Sequence, residues 1–186
     1  LACELGINTI LTPIITPPLD TAEGHTRTCT QLVKIEKIGK KFDFDFTLLG
    51  KWITLCHKCG IQYFEMCQLF SQWGLKYAPN IRIKENGKEY YMFGWHTDAN
   101  SEAYTDFLKQ FLPALMAYLQ KVGIKDRCFF HISDEPHTTD LEAYRAAYDI
   151  VKPLIDGRPI LDALSRYDFY ENGLVDIPVT ASNSID

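Results

Sequence analysis

Strand-like runs alternate with amphipathic helical stretches along most of this chain, and this alternation limits the folds that it can adopt. Five short runs are rich in β-branched or aromatic residues, as buried strands are: 5–15, 61–66, 128–132, 159–163 and 175–179. Three longer stretches repeat apolar side chains at helical spacing: 48–58, 101–121 and 138–155. Strands that alternate with helices predict an α/β fold with a parallel sheet.

Two segments depart from the alternation. Residues 28–46 predict a β-hairpin, because two runs of period two flank a turn at Gly39. Residues 68–100 are expected to form a long loop, although Asn86-Gly87 within it is a hairpin turn signal. Loops of this length in a compact domain usually carry function or are poorly ordered.

An adjacent acid pair, Asp134 and Glu135, follows the predicted strand at 128–132. Active sites of α/β proteins lie where strands end, so the position favours catalysis. Two carboxylates in one cavity repel each other, which raises the pKa of one of them and suits it to act as a general acid. The pair is equally typical of a helix N-terminus, where acids interact favourably with the helix dipole.

The run at 131–137, His-Ile-Ser-Asp-Glu-Pro-His, resembles the catalytic motif of family 123 of the glycoside hydrolases. Further segments carry the resemblance along most of the chain: Gly6-Ile7-Asn8-Thr9, Thr12-Pro13, Phe64-Glu65, Gln72-Trp73-Gly74, Phe93-Gly94-Trp95, Asp162-Ala163-Leu164-Ser165 and Ser182-Asn183-Ser184-Ile185-Asp186.

The resemblance implies a (β/α)₈ TIM-barrel fold and a β-N-acetylgalactosaminidase activity with substrate assistance, in which the 2-acetamido oxygen of the sugar attacks the anomeric carbon. Carried over to this sequence, Glu135 is the acid/base that protonates the leaving oxygen. Asp134 holds the acetamido N–H and stabilises the oxazolinium-like intermediate.

Eight more side chains at predicted strand ends or in loops are candidates for substrate binding. Aromatic rings can stack on sugar faces, and polar groups at strand ends can bind hydroxyls, although core packing explains several of them equally well. The candidates are Glu65, Trp73, Trp95, His131, Asp162, Tyr167, Tyr170 and Asn183.

Length limits the fold further. The chain has 186 residues, whereas a complete (β/α)₈ barrel needs about 250. We therefore expect a single domain over residues 1–186 that forms a partial barrel of about five or six βα units. Such a fragment would expose sheet edges, through which self-association is expected.

The resemblance implies a glycan substrate, and composition argues against two other classes of partner. The net charge of -5 argues against nucleic acid, and no apolar run of 18 residues is present to span a membrane. The six cysteines are most simply buried free thiols of a reduced compartment, so a cytoplasmic protein is expected. Cys56-His57-Lys58-Cys59 has the spacing of a zinc knuckle but no second pair follows, so neither a metal nor another cofactor is expected.

Two other functions remain open on the sequence. One is a carbohydrate-binding or structural barrel without catalytic activity. The other is a metal-dependent hydrolase that uses His131, Asp134 and His137 with a distant acid. The two histidines lie six residues apart across Pro136, which is not the i, i+4 spacing of helical metal ligands.

Overall fold

The computed structural model describes residues 3–19, 21–72 and 74–180. Four α-helices occur in this part of the chain: α1 (Thr47–Lys58), α2 (Glu102–Lys121), α3 (Leu141–Val151) and α4 (Asp168–Glu171). It also contains nine strands: β1 (Thr9–Thr12), β2 (Lys34–Ile38), β3 (Lys41–Asp45), β4 (Tyr63–Met66), β5 (Ile81–Glu85), β6 (Lys88–Phe93), β7 (Cys128–Phe129), β8 (Leu161–Leu164) and β9 (Ile177–Thr180).

The described strands form three sheets. Strands β1, β4 and β7 are parallel and neighbours in that order, and β8 and β9 form a parallel pair. A parallel bridge from Phe130 to Ile160 places β8 beside the end of β7. The third sheet is mixed, in the order β3-β2-β5-β6.

The predicted partial TIM barrel of five or six βα units is wrong. The described residues form a small mixed α/β domain with three sheets and no closed barrel. The reason lies largely in residues 68–100, where Asn86 and Gly87 adopt left-handed backbone angles and close a hairpin. Strand β5 of that hairpin then pairs in parallel with β2, so this segment, expected to be a loop, completes a separate mixed sheet with the predicted hairpin of β2 and β3.

The hydrophobic core lies where α2 packs against the mixed sheet. The side chain of Ser101 caps the helix by accepting a hydrogen bond from the backbone N–H of Tyr104. Phe107 on the buried face of α2 meets Phe42 of β3 edge to face, with ring centroids 5.2 Å apart. This contact fixes the helix against β3.

Among the described residues, no helix is both long enough and apolar enough to cross a membrane.

Candidate active site

The candidate site forms where the loops after β4 and β7 meet strand β8. Gln68 and Gln72 follow β4, and the run at 131–135 follows β7. The backbone N–H of Leu161 donates to the carbonyl of Phe130 and aligns β8 with this run. Three segments that are distant in sequence thus bring their polar side chains to the same sheet edge.

His131 is buried between two carboxylates. Its Nδ1 lies 2.9 Å from Oε1 of Glu65, and its Nε2 lies 2.8 Å from Oδ1 of Asp162. The side-chain amide of Gln68 is also close, 3.1 Å from Nδ1. Only 3% of His131 is exposed, so these contacts replace hydration of the ring.

Burial lowers the pKa of His131, but the charges and hydrogen bonds of Asp162 and Glu65 outweigh it and raise the pKa from 6.5 to about 9. A pKa in this range favours the imidazolium form of the ring at neutral pH. A single buried cation thus lies between two acidic side chains.

Asp162 anchors this cluster to helix α3. It is fully buried, and its Oδ2 accepts a hydrogen bond of 2.7 Å from the hydroxyl of Tyr144. The backbone N–H of Ser133 donates to the same oxygen at 3.4 Å. Asp162 therefore lies beneath the candidate acid pair rather than at the surface.

Asp134 is partly buried, and its Oδ2 accepts a hydrogen bond of 2.5 Å from Nε2 of Gln72. Its pKa is raised from the usual value chiefly by burial, with smaller contributions from the charges of Asp162 and Glu135. The positive charge of His131 and the Gln72 hydrogen bond act in the opposite direction. The ionisation of Asp134 therefore depends on the charge of His131 and on the hydrogen bond from Gln72.

Glu135 is exposed and has a left-handed backbone conformation, with φ at 46°. Neighbouring side chains on an extended strand point to opposite faces, but the left-handed residue turns the chain at the second acid. The charge of Glu135 contributes a small part of the rise in the pKa of Asp134. The turn therefore presents two acids in unlike surroundings, one partly buried and one exposed.

Two other predicted residues, Tyr167 and Tyr170, lie around helix α4. They are 52% and 41% exposed, and their ring centroids are 5.0 Å apart. A hydrogen bond of 2.9 Å from the Thr138 hydroxyl to Asp168 ties α4 to the loop that follows Glu135. The predicted role of the two tyrosines in substrate binding stays a prediction.

Trp95 lies farther along, at the end of the β5-β6 hairpin. It is half-buried and donates a hydrogen bond of 2.6 Å from Nε1 to the carbonyl of His25. Trp73 and Asn183 lie outside the described residues, so their predicted roles stay predictions.

A divalent metal could draw on His131, Asp134 and Asp162, whose ligand atoms all lie within 4.8 Å of one another. Nε2 of His131 already shares a hydrogen bond with Asp162, and a metal would have to replace that proton. His137 does not join this group, because its side chain accepts a hydrogen bond from the backbone of Asp140 in a capping box. The donor set therefore fits a proton-linked cluster better than a metal centre.

Residues 1–186 match the family model described as glycoside hydrolase 123, catalytic domain. The chain belongs to this family. A solved structure with a similar fold is a family 123 glycoside hydrolase from Clostridium perfringens, described in a study of glycolipid glycan hydrolysis. Its TM-score is 0.74 at 17% sequence identity, over 100% of this chain and 32% of that one. At this identity the likeness shows the fold alone, and this chain spans about a third of the length of that protein. No curated protein sequence matches the chain.

Sequence reasoning missed three residues that organise the site of this family 123 domain. Gln72 and Gln68 follow strand β4, and the rule that singled out polar groups after strands would have found them. Tyr144 resembles any other aromatic residue on a helical apolar face. Its hydrogen bond to Asp162 is the feature that separates it from core packing, and only the structure shows it.

Proposed function

We propose that this family 123 domain carries the acid pair of a glycoside hydrolase that cleaves β-linked N-acetylhexosamines, with N-acetylgalactosamine preferred. The observation that carries the proposal is the pairing of unlike carboxyl groups in one turn. Asp134 is partly buried and held by Gln72, whereas Glu135 is exposed. Acids in unlike environments can divide the work of proton transfer and charge stabilisation.

The family resemblance assigns the roles of the two acids, and the restrained position of Asp134 and the exposure of Glu135 are compatible with them. In the first step the acetamido oxygen bonds to the anomeric carbon, the glycosidic C–O bond breaks, and the leaving oxygen takes a proton from Glu135. Asp134 accepts a hydrogen bond from the acetamido N–H and stabilises the positive charge of the bicyclic intermediate. In the second step Glu135 removes a proton from water, which opens the intermediate at the anomeric carbon with net retention.

Asp134 is suited to this role because it cannot rotate freely. The 2.5 Å hydrogen bond from Gln72 fixes one oxygen, and the imidazolium of His131 favours its ionised form. An acceptor held in place before the reaction loses little free energy to reorganisation when charge develops. Glu135 instead needs access to the leaving group and to water, which agrees with its exposure.

The first experiment compares aryl β-N-acetylgalactosaminide, aryl β-N-acetylglucosaminide and aryl β-galactoside as substrates of the purified protein. We expect turnover of the N-acetylated substrates, fastest for the galacto form, and none of the β-galactoside, which lacks the acetamido nucleophile. A thiazoline analogue of the bicyclic intermediate should inhibit competitively, because it resembles the high-energy state.

Variants separate the two acids. Glu135→Gln should lose much more activity on a poor leaving group than on a nitrophenyl leaving group, which needs little protonation. Asp134→Asn should lose about 10²-fold or more on both, since it acts on the sugar. The exposed Glu142 on α3 supplies the control, and Glu142→Gln should retain full activity.

Three results would contradict the proposal. If Glu142→Gln lost as much activity as Glu135→Gln and Asp134→Asn, the acid pair would not be the catalytic centre. Activity that disappears with EDTA and returns with a divalent metal would point to metal-dependent hydrolysis. Binding of N-acetylhexosamines without any turnover would support a carbohydrate-binding domain that lacks catalysis.

A further inference from the structure

The mixed sheet ends in two edge strands, β3 and β6, and the chain itself closes the first of them. At β3 the side-chain amide of Gln110, on helix α2, accepts a hydrogen bond of 3.1 Å from the backbone N–H of Phe42. The same amide donates a hydrogen bond of 3.2 Å to the carbonyl of Lys40. Gln110 thus takes the place of a neighbouring strand, and this prevents further strands from pairing with β3.

Strand β6 has an open outer edge from Lys88 to Tyr91. These residues are all exposed, and among the described residues no strand lies beyond β6. The edge closes after Tyr91, because Nε2 of His96 lies 3.1 Å from the carbonyl of Met92. The pairing of β6 with β5 is also irregular at this end. The open segment is therefore short and has a defined end.

The hairpin turn decides which backbone groups of β6 point outward. The turn at 86–87 has two residues with left-handed angles, so its flanking residues Glu85 and Lys88 are a hydrogen-bonded pair of the ladder. Hydrogen-bonded and non-hydrogen-bonded pairs alternate along an antiparallel ladder. The N–H and C=O groups of Glu89 and Tyr91 therefore point away from β5, in the orientation that pairs with another strand.

We propose that β6 pairs with β6 of a second copy of this chain, antiparallel and centred on Tyr90, so that one sheet runs through a symmetric dimer. In this register Glu89 of each copy faces Tyr91 of the other, and each such pair exchanges both of its backbone hydrogen bonds. The two Tyr90 side chains face each other on the opposite surface of the sheet, where a cross-strand aromatic pair is favourable. The proposal goes beyond the glycosidase function and does not depend on it.

Charge selects the register centred on Tyr90. Lys88 then lies opposite Met92 of the second copy, and Glu89 lies opposite Tyr91, whose phenol can donate to the carboxylate. Centring the strands on Glu89 instead would place two carboxylates directly opposite each other, which destabilises a strand pair. A shift in the other direction would carry the pairing past Met92, where the edge is closed. The open segment is therefore complementary to itself, which favours a second copy over an unrelated chain.

Analytical ultracentrifugation of the purified protein over a range of concentrations measures the association. We expect the mass to rise with concentration from 21.3 kDa to about twice that value. Tyr91→Pro removes an outward N–H but no hydrogen bond to β5, so it should raise the dissociation constant of the dimer about tenfold or more. Tyr91→Thr is the matched control, because it keeps the backbone donor and a high strand propensity, and its dissociation constant should stay within about threefold of wild type.

Cysteine cross-linking tests the register. In a Cys59→Ser background, which lacks the exposed native thiol, Tyr90→Cys places two thiols across the symmetry axis with Cα atoms about 4.5 Å apart. Glutathione disulfide should oxidise these two thiols to an intermolecular disulfide and be reduced to two molecules of glutathione. Lys88→Cys is the control, since its thiol lies about 13 Å along the strand from its symmetry mate and should not cross-link.

Several results would overturn the dimer. A monomer at every concentration would leave the β6 edge to a different partner, and equal association of Tyr91→Pro and Tyr91→Thr would show that the dimer forms elsewhere. Cross-linking of Lys88→Cys as efficient as that of Tyr90→Cys would exclude the register centred on Tyr90. If circular dichroism shows that Tyr91→Pro is unfolded, the two cysteine variants decide the matter, because both keep every backbone donor.

Discussion

Nε2 of His131 lies 2.8 Å from Oδ1 of Asp162, and neither side chain is more than 4% exposed. Through Tyr144 this ion pair connects helix α3 to the turn that carries the acid pair. A buried charge of this kind is strongly destabilising once its partner is removed. Removing one member of the pair should therefore change the free energy of unfolding, which can be measured apart from activity.

Removing the cation should destabilise the fold strongly. His131→Gln leaves the carboxylates of Asp162 and Glu65 without their buried counter-charge, and we expect a loss of about 3–5 kcal/mol in the free energy of unfolding. Urea denaturation followed by circular dichroism measures it. Lys84→Met, which breaks the exposed ion pair with Glu36, is the control and should change stability little. A loss no larger than in that control would contradict the expectation.

The pH dependence of stability has a definite sign. The folded-state pKa of His131, about 9, lies above its unfolded value of 6.5. The resulting stabilisation is complete below about pH 6.5 and is lost as the pH rises through about 9, amounting to about 3 kcal/mol. The difference in unfolding free energy between wild type and His131→Gln should therefore shrink over this interval. Parallel pH curves for the two proteins would show that folding does not raise the pKa of the ring.

Gln72 should set the pH range of activity. Asp134 has a raised pKa, and the hydrogen bond from Gln72 counteracts part of that rise. In Gln72→Met the pKa of Asp134 rises further, so the acidic limb of kcat/KM moves to higher pH, and activity at neutral pH falls about tenfold. The exposed Gln62 supplies Gln62→Met as a control with an unchanged profile. If Gln72→Met lost activity equally at every pH, Gln72 would have a structural role only.

Glu135 should be replaced more easily by glycine than by alanine. Its φ of 46° lies in the left-handed region, where a Cβ atom costs about 1–2 kcal/mol. We expect Glu135→Gly to be more stable than Glu135→Ala by about 1 kcal/mol, with both variants inactive on poor leaving groups. Thermal melting of the two proteins measures this difference. Equal melting temperatures would mean that the turn relaxes once the carboxylate is gone.

The sequence predicts elements well where the signal is local. The cap at Ser101 and the helical spacing that follows it predict α2, and the structure confirms both. The pairing of β5 with β2 could not be predicted, because it joins residues almost 50 positions apart and depends on the hairpin turn at Asn86.

The same contrast between local and long-range signals applies to the candidate site. The motif at 131–137 identifies the acid pair as the candidate centre, since those residues are contiguous. The hydrogen bond from Gln72 to Asp134 spans 62 positions, and that from Tyr144 to Asp162 depends on how α3 packs. Neither contact leaves a spacing in the sequence that predicts the partner, although the position of Gln72 after strand β4 is a local signal that marks it as a candidate.

The contacts of residues 131–135 limit how chain length can change in this domain. His131 bonds to Asp162, Ser133 to Ser71 and Asp134 to Gln72, so three positions of one short run have fixed partners on other segments. An insertion or deletion of one residue there would misalign all three contacts at once. The exposed turn at 86–87 has no such partners in the described structure, so it is the suitable position at which to lengthen the chain or attach a label.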